Sequence, residues 1–172
     1  MLRVVTFNEA LHEVHGFRLL QDCNEDDYDL SSPGGMTALY DAVYEASEAT
    51  AIYGRRLSEA QFSVNGAIYI ITDGEDNQSK VNRAAVKKSI EGAKTSEALE
   101  SLVPVLIGVN TKIGGVNSYL DIFQKEAGFQ QYVAMGSATE KELAKLGGFI
   151  SKSISSQSQA LGSGGPSKSL TF

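Results

Sequence analysis

Two apolar runs constrain this chain more than any other feature. Ala67-Ile-Tyr-Ile-Ile71 and Val103-Pro-Val-Leu-Ile-Gly-Val109 are hydrophobic at consecutive positions rather than alternate ones. A strand that reads this way has both faces buried, which is the condition of a parallel sheet covered by helices on both sides. Ahead of the first run, Thr37 to about Ile52 carries Leu39, Ala42, Val43 and Ala46 at helical spacing, with Gly54 as the expected stop. Lys80 to Leu102 reads as helix, broken near Gly92. Leu120 to Ala127 reads as a short helix and Gln131 to Met135 as a last strand. Ser137 or Thr139 caps a final helix with Leu143, Leu146, Ile150 and Ile154 along one side. At the other end, Arg3 to Phe7 reads as a strand and Leu11 to Leu20 as its antiparallel return.

Strands alternating with helices predict a three-layer α/β/α sandwich, mostly parallel, with one antiparallel edge strand and right-handed crossovers. Ala67–Ile71 and Val103–Val109 are expected to be adjacent central strands. Residues 1–154 make one domain. Residues 155–172 turn to Ser, Gln and Gly, and are expected to be a disordered tail for want of apolar side chains to bury.

The formal net charge of -6 argues against a nucleic-acid partner, which leaves a basic footprint on its binder. No apolar run is long enough to span a membrane. Met1 to Phe17 lacks the apolar core of a signal peptide. The single cysteine, Cys23, excludes an intrachain disulfide and fits a reducing compartment, so a cytoplasmic location is expected. Cys23 lies in the acidic stretch Asp22–Asp29, which makes it a poor nucleophile.

In a sheet of this kind the site lies at the carboxyl ends of the strands. That places Asn8, Asp73 and Asn110 along one rim, together with Thr37 at the start of its helix. Two segments there carry chemistry: Gly34-Gly-Met-Thr-Ala-Leu-Tyr-Asp-Ala42 and Ile70-Ile-Thr-Asp-Gly-Glu-Asp76. The first frees the backbone just before a helix and presents the Thr37 hydroxyl. The second ends an apolar strand in the Asp73 carboxylate. Two oxygen donors suit a hard cation such as Mg²⁺.

This pair resembles two of the three parts of the metal-ion-dependent adhesion site of von Willebrand factor A domains. Thr6-Phe7-Asn8 is similar to the end of that family's second strand, and Val105-Leu-Ile-Gly-Val109 to its fifth. The resemblance covers Arg3 to about Ile154. It implies a Rossmann-like fold, Thr37 and Asp73 as ligands of one Mg²⁺ or Mn²⁺, and a non-catalytic protein-binding module in which a partner's acidic residue completes the metal shell. The family's site begins with Asp-x-Ser-x-Ser on a first strand, followed by a long helix. Both precede the strand read here at Arg3, and these residues contain neither. Asp29-Leu-Ser-Ser32 is superficially similar, but it follows an acidic loop rather than a strand and is set aside. The resemblance thus implies a first strand that is missing, metal held weakly by this chain alone, and a protein partner that supplies an acidic ligand, a strand or both.

The competing reading is a Rossmann- or flavodoxin-like enzyme or nucleotide-binding domain. No Gly-x-Gly-x-x-Gly and no Gly-x-x-x-x-Gly-Lys-Ser/Thr occurs to support it. Glu75 and Asp76 read as solvated loop charge, His12 and His15 as surface or packing residues, and Asp41 as either a support to Thr37 or a solvated helix position.

Overall fold

The computed structural model describes residues 1–28, 34–112, 114–163 and 171–172. The stretch Asp29–Ser32 therefore lies outside the described residues, as do positions 164–170 of the expected tail.

Helix α1 (Leu39–Glu59) organises the chain, burying Leu39, Ala42, Val43, Ser47 and Gly54 along one side. The expected stop at Gly54 is overturned. Gly54 lies inside the helix, and the Leu99 side chain occupies the space that a Cβ there would need. The glycine serves close packing, and no proline or left-handed residue ends the helix at that point.

Strand β1 (Leu2–Phe7) and strand β2 (Leu11–Arg18) form an antiparallel hairpin. It stands as its own two-stranded sheet. Strand β3 (Asn65–Thr72) pairs in parallel with β4 (Ser101–Gly108), with Ala67 opposite Val103 and Ile71 opposite Ile107. Strand β5 (Gln131–Ala134) pairs in parallel with the other side of β4. The two apolar runs are thus adjacent and parallel, as expected. Only β4 is central, however: β3 is the edge of its sheet, because among the described residues no ladder joins it to β1.

Helix α2 (Arg83–Lys94) is shorter than the sequence suggested. Asn82 caps it by accepting the Ala85 amide at 3.0 Å, and the helix passes Gly92 unbroken before ending at Thr95. Helix α3 (Val116–Ala127) is bracketed by Gly115 and Gly128, both left-handed. Helix α4 (Glu140–Ser163) begins where Thr139 Oγ1 accepts the Glu142 amide. It continues well past residue 155, where the sequence reading begins a tail. Leu146, Phe149, Ser153 and Gln157 are all buried, so the stripe that faces the sheet persists after its apolar residues run out. Phe172 returns to this helix and meets Phe149 edge-on, with ring centres 5.6 Å apart.

The core has two parts. Leu39, Val43, Val86, Ile90, Leu120 and Phe123, from helices α1, α2 and α3, gather with Ile68, Ile70 and Leu106 of the strands. Leu146 and Phe149 of α4 gather with Val103, Val105 and Ile107. Successive β4 residues therefore serve opposite clusters, as the two-residue period of a strand requires.

Candidate functional site at the start of helix α1

Helix α1 begins without a side-chain cap, since its capping position is Ala38. Four amides that the helix itself does not satisfy find partners elsewhere. Thr37 N donates to Asn77 Oδ1 at 2.7 Å and Ala38 N to the Asn8 carbonyl at 2.6 Å. Tyr40 N donates to Asp76 Oδ1 at 3.1 Å and Asp41 N to Ser79 Oγ at 3.0 Å. Asp76 also accepts from the Ser79 hydroxyl. Asp41 returns the contact, its carboxylate accepting the amides of Lys80 at 3.0 Å and Val81 at 2.9 Å. The loop after β3 is thus wrapped around the positive end of α1, where carboxylates are favoured by the helix dipole.

This corrects the sequence reading of Asp76. It is not solvated charge but a remote cap, held by contacts 36 residues away in the chain. Asp41 is likewise engaged, pinning the loop rather than facing water. Glu75 is exposed, as expected.

The same wrapping brings Thr37 onto the end of β3. A Cβ at Gly74 would lie 3.4 Å from Thr37 Oγ1, so the threonine hydroxyl rests against the residue that follows Asp73. Thr72 Oγ1 folds the turn by accepting the Gly74 amide at 3.3 Å and donating to its carbonyl at 3.2 Å. Asp73 is exposed at the tip, while Thr72 beneath it is buried. The end of β4 is tied in by Val109 N donating to the Thr72 carbonyl at 2.8 Å. Asn110 follows in a left-handed conformation at φ 56°, which asparagine tolerates better than most residues. Asn8 closes the rim through its carbonyl on Ala38.

Behind the loop, Tyr40, Tyr119 and Arg83 form a support that no motif in the sequence connects. The two tyrosine hydroxyls share a hydrogen bond at 2.5 Å. Arg83 Nε donates to Tyr40 at 2.6 Å and its Nη1 to Glu126 at 2.7 Å, and the guanidinium lies 5.0 Å from the Tyr119 ring centre. The Asp76 amide donates to Tyr119 at 3.2 Å. Burial pushes the Tyr40 hydroxyl up to about 12, with Tyr119 acting the same way and Arg83 opposing. Arg83 is held above its ordinary value chiefly by its hydrogen bond to Tyr40.

The remaining candidates lie elsewhere. His15 is buried in the hairpin, its Nδ1 donating to the Gly16 carbonyl at 2.8 Å and its Nε2 3.0 Å from the Tyr28 hydroxyl. Both ring nitrogens are used, which is a packing role. The Cys23 thiol donates to the Leu19 carbonyl at 3.4 Å. Among the described residues, no three of His, Cys, Asp and Glu gather as a metal-holding cluster. The Thr37 hydroxyl lies against the turn that carries the exposed Asp73 carboxylate, and two such oxygen groups are a small part of the near-octahedral shell that Mg²⁺ requires. Two surface hollows of about 420 and 240 Å³ are lined by Arg55, Glu59 and Ser96, and by Lys145, Phe149 and Phe172. Neither includes a rim residue. Among the described residues, no helix is long and apolar enough to cross a membrane.

No family model, no curated protein and no solved structure matches the chain.

Proposed function

We propose that this chain is the greater part of a protein-binding module of the von Willebrand factor A type. It is non-catalytic, carries a partial metal-ion-dependent adhesion site, and is completed by a strand and ligands from outside these residues. The observation that carries the reading is the meeting of the Thr37 hydroxyl with the Thr72-Asp73-Gly74 turn at the carboxyl end of β3. A Gly-Gly-Met-Thr loop and an apolar strand ending in Thr-Asp-Gly are 36 residues apart from Thr37 to Asp73, yet they abut at the rim where a sheet of this class binds its ligand.

The arrangement of α1 supports the missing strand. Along this helix, β1 runs from Arg3, whose guanidinium grips Glu45 at 2.9 and 2.7 Å, to Asn8 at Ala38. β3 runs from Gly66, against Thr50, to Gly74, against Thr37. Both strands oppose α1 in direction and are therefore parallel to each other. A helix is about 10 Å wide and strands pair at about 4.8 Å. Two parallel strands under one helix without a ladder leave room for one more between them. With that strand in place, the two sheets become one mostly parallel sheet, and the fold a three-layer α/β/α sandwich. The metal would be Mg²⁺ or Mn²⁺, held weakly by Thr37 and Asp73 alone, and the partner would contribute an acidic residue to its shell.

The test uses Mn²⁺ as a paramagnetic probe of the ¹⁵N-labelled chain. Broadening centred on Thr37 and Gly74, lost in Asp73→Ala, is expected. Broadening confined to the acidic stretch Asp22–Asp27, or shifts at the rim on adding ADP without metal, would instead favour the Rossmann-like nucleotide-binding alternative or no site at all.

A further inference from the structure

We infer that one flank of helix α4 carries a slot for an aromatic side chain, and that Phe172 of the same chain is its resident, exchangeable occupant. Neither Thr37 nor Asp73 takes part, and the inference stands apart from the proposed function.

The slot follows from helix geometry. Successive residues turn by about 100°, so Lys145, Phe149 and Lys152, spaced by four and then three residues, share one side of α4. Phe149 is buried in the cluster it forms with Val103, Val105 and Ile107 of β4. It is therefore a floor fixed to the sheet. The two lysines line the hollow above it. Gly148 adds no side chain there, and the space where its Cβ would stand is open.

Phe172 enters this slot through its ring. The ring meets Phe149 edge-on, with the two planes at 84°. Lys145 Nζ lies 4.3 Å from the centre of the Phe172 ring. Both contacts draw on the quadrupole of an aromatic ring, negative on its face and positive at its edge. An aliphatic side chain of similar size buries comparable area and has neither. Phe172 is half-buried while Thr171 before it is exposed. Among the described residues, no hydrogen bond or ion pair holds Thr171 or Phe172, so the ring carries the attachment.

An occupant attached by one side chain can be exchanged. A hollow of about 240 Å³ also remains beside the Phe172 ring, so the slot admits a larger ring, such as an indole. A resident tethered in the same chain competes at an effective concentration on the order of millimolar. A second aromatic segment therefore meets an open slot only in the fraction of molecules whose Phe172 has left it, and its apparent affinity falls by that fraction. The chemistry of the slot sets what displaces the resident: an extended segment that presents Phe, Tyr or Trp and needs no backbone pairing.

The test titrates acetyl-Ser-Leu-Thr-Phe-amide, which copies positions 169–172, into the ¹⁵N-labelled full chain and its Phe172→Ala variant. In Phe172→Ala, shifts should centre on Lys145, Gly148, Phe149 and Lys152. The intact chain should bind about tenfold more weakly, the factor for a resident docked in about nine molecules of ten. The same peptide ending in Leu should bind Phe172→Ala about tenfold more weakly than the Phe peptide. Lys145→Gln, added to Phe172→Ala, should weaken the Phe peptide and leave the Leu peptide unchanged. No shift in Phe172→Ala at about 10 mM peptide, well above the effective concentration of a tethered resident, overturns the slot. Equal affinities of the intact chain and Phe172→Ala overturn Phe172 as its resident, and equal affinities of the Phe and Leu peptides overturn its preference for a ring. Slot shifts in the intact chain that grow with protein concentration, without peptide, would assign the occupant to a second copy and overturn docking within one chain.

Discussion

Thr37 and Asn77 hold each other through a reciprocal pair of hydrogen bonds, Thr37 N to Asn77 Oδ1 at 2.7 Å and Asn77 N to the Thr37 carbonyl at 3.0 Å. The pair fixes the start of α1 to the loop that carries Asp73. Asn77→Ala should therefore lower stability by about 0.5–2 kcal/mol, the range for loss of a helix cap. It should also weaken Mn²⁺ broadening at Gly74, because the two halves of the site are no longer clasped. A variant with unchanged urea midpoint and unchanged broadening would show the clasp to be incidental.

Asp76→Ala removes more. Its carboxylate accepts the Tyr40 amide and the Ser79 hydroxyl in a half-buried position. Leaving those donors unsatisfied costs on the order of 1–3 kcal/mol. Glu75→Ala, one residue earlier and exposed, should change stability by less than about 0.5 kcal/mol. Chemical denaturation of the two variants side by side checks the contrast, and equal effects would contradict it.

Gly54→Ala is expected to destabilise the chain although alanine favours helix. The intrinsic gain is about 0.5–1 kcal/mol. Overpacking against Leu99, whose side chain fills the space of the new Cβ, costs typically 1–3 kcal/mol. Thermal denaturation decides the sign, and a raised Tm would mean that Leu99 moves aside freely.

The Tyr40 hydroxyl, pushed up to about 12 by burial, gives a pH dependence. An ordinary tyrosine ionises near 10. Between these values the unfolded chain releases this proton and the folded chain keeps it. The group's contribution is thus complete below about pH 10 and is lost as pH rises toward 12. Tyr40→Phe should flatten this part of a stability profile, even though it lowers stability near neutrality by depriving Arg83 and Tyr119 of a partner. An alkaline slope just as steep in Tyr40→Phe would place its origin elsewhere, with Tyr69 and Tyr132 the next residues whose hydroxyls burial pushes up.

What could be read in the sequence follows the range of the interactions involved. The apolar runs at Ala67–Ile71 and Val103–Val109 located β3 and β4 because a strand's burial is written in its own side chains. Gly54 misled because its reason is Leu99, 45 residues further on, and nothing local separates a packing glycine from a stop. Asp76 misled in the same way, and Asp41 stayed open between two readings, since their partners are amides across the fold. The extent of α4 was missed because Gln157, like Ser153 one turn before it, is a buried polar residue on a helical stripe, and composition alone reads the residues from 155 onward as tail. At the rim, Thr37 and the turn after Asp73 were legible as motifs. The clasp that joins them, through Asn77, Asp76 and Tyr119, was not, because it depends on side chains folding back onto a helix start.

Amide hydrogen exchange on the monomeric chain, residue by residue, tests the central claim most directly. Among the described residues, β1 is hydrogen-bonded only toward β2 and β3 only toward β4. Protection should therefore alternate along Leu2–Phe7 and along Asn65–Thr72, with every second amide exchanging fast, while Val105–Gly108 of the doubly paired β4 is slow throughout. Addition of a segment that fills the gap should slow the fast set. Uniform protection along both β1 and β3 in the monomer, with nothing added, would mean that the sheet is already closed, and the account of a module awaiting a strand would be wrong.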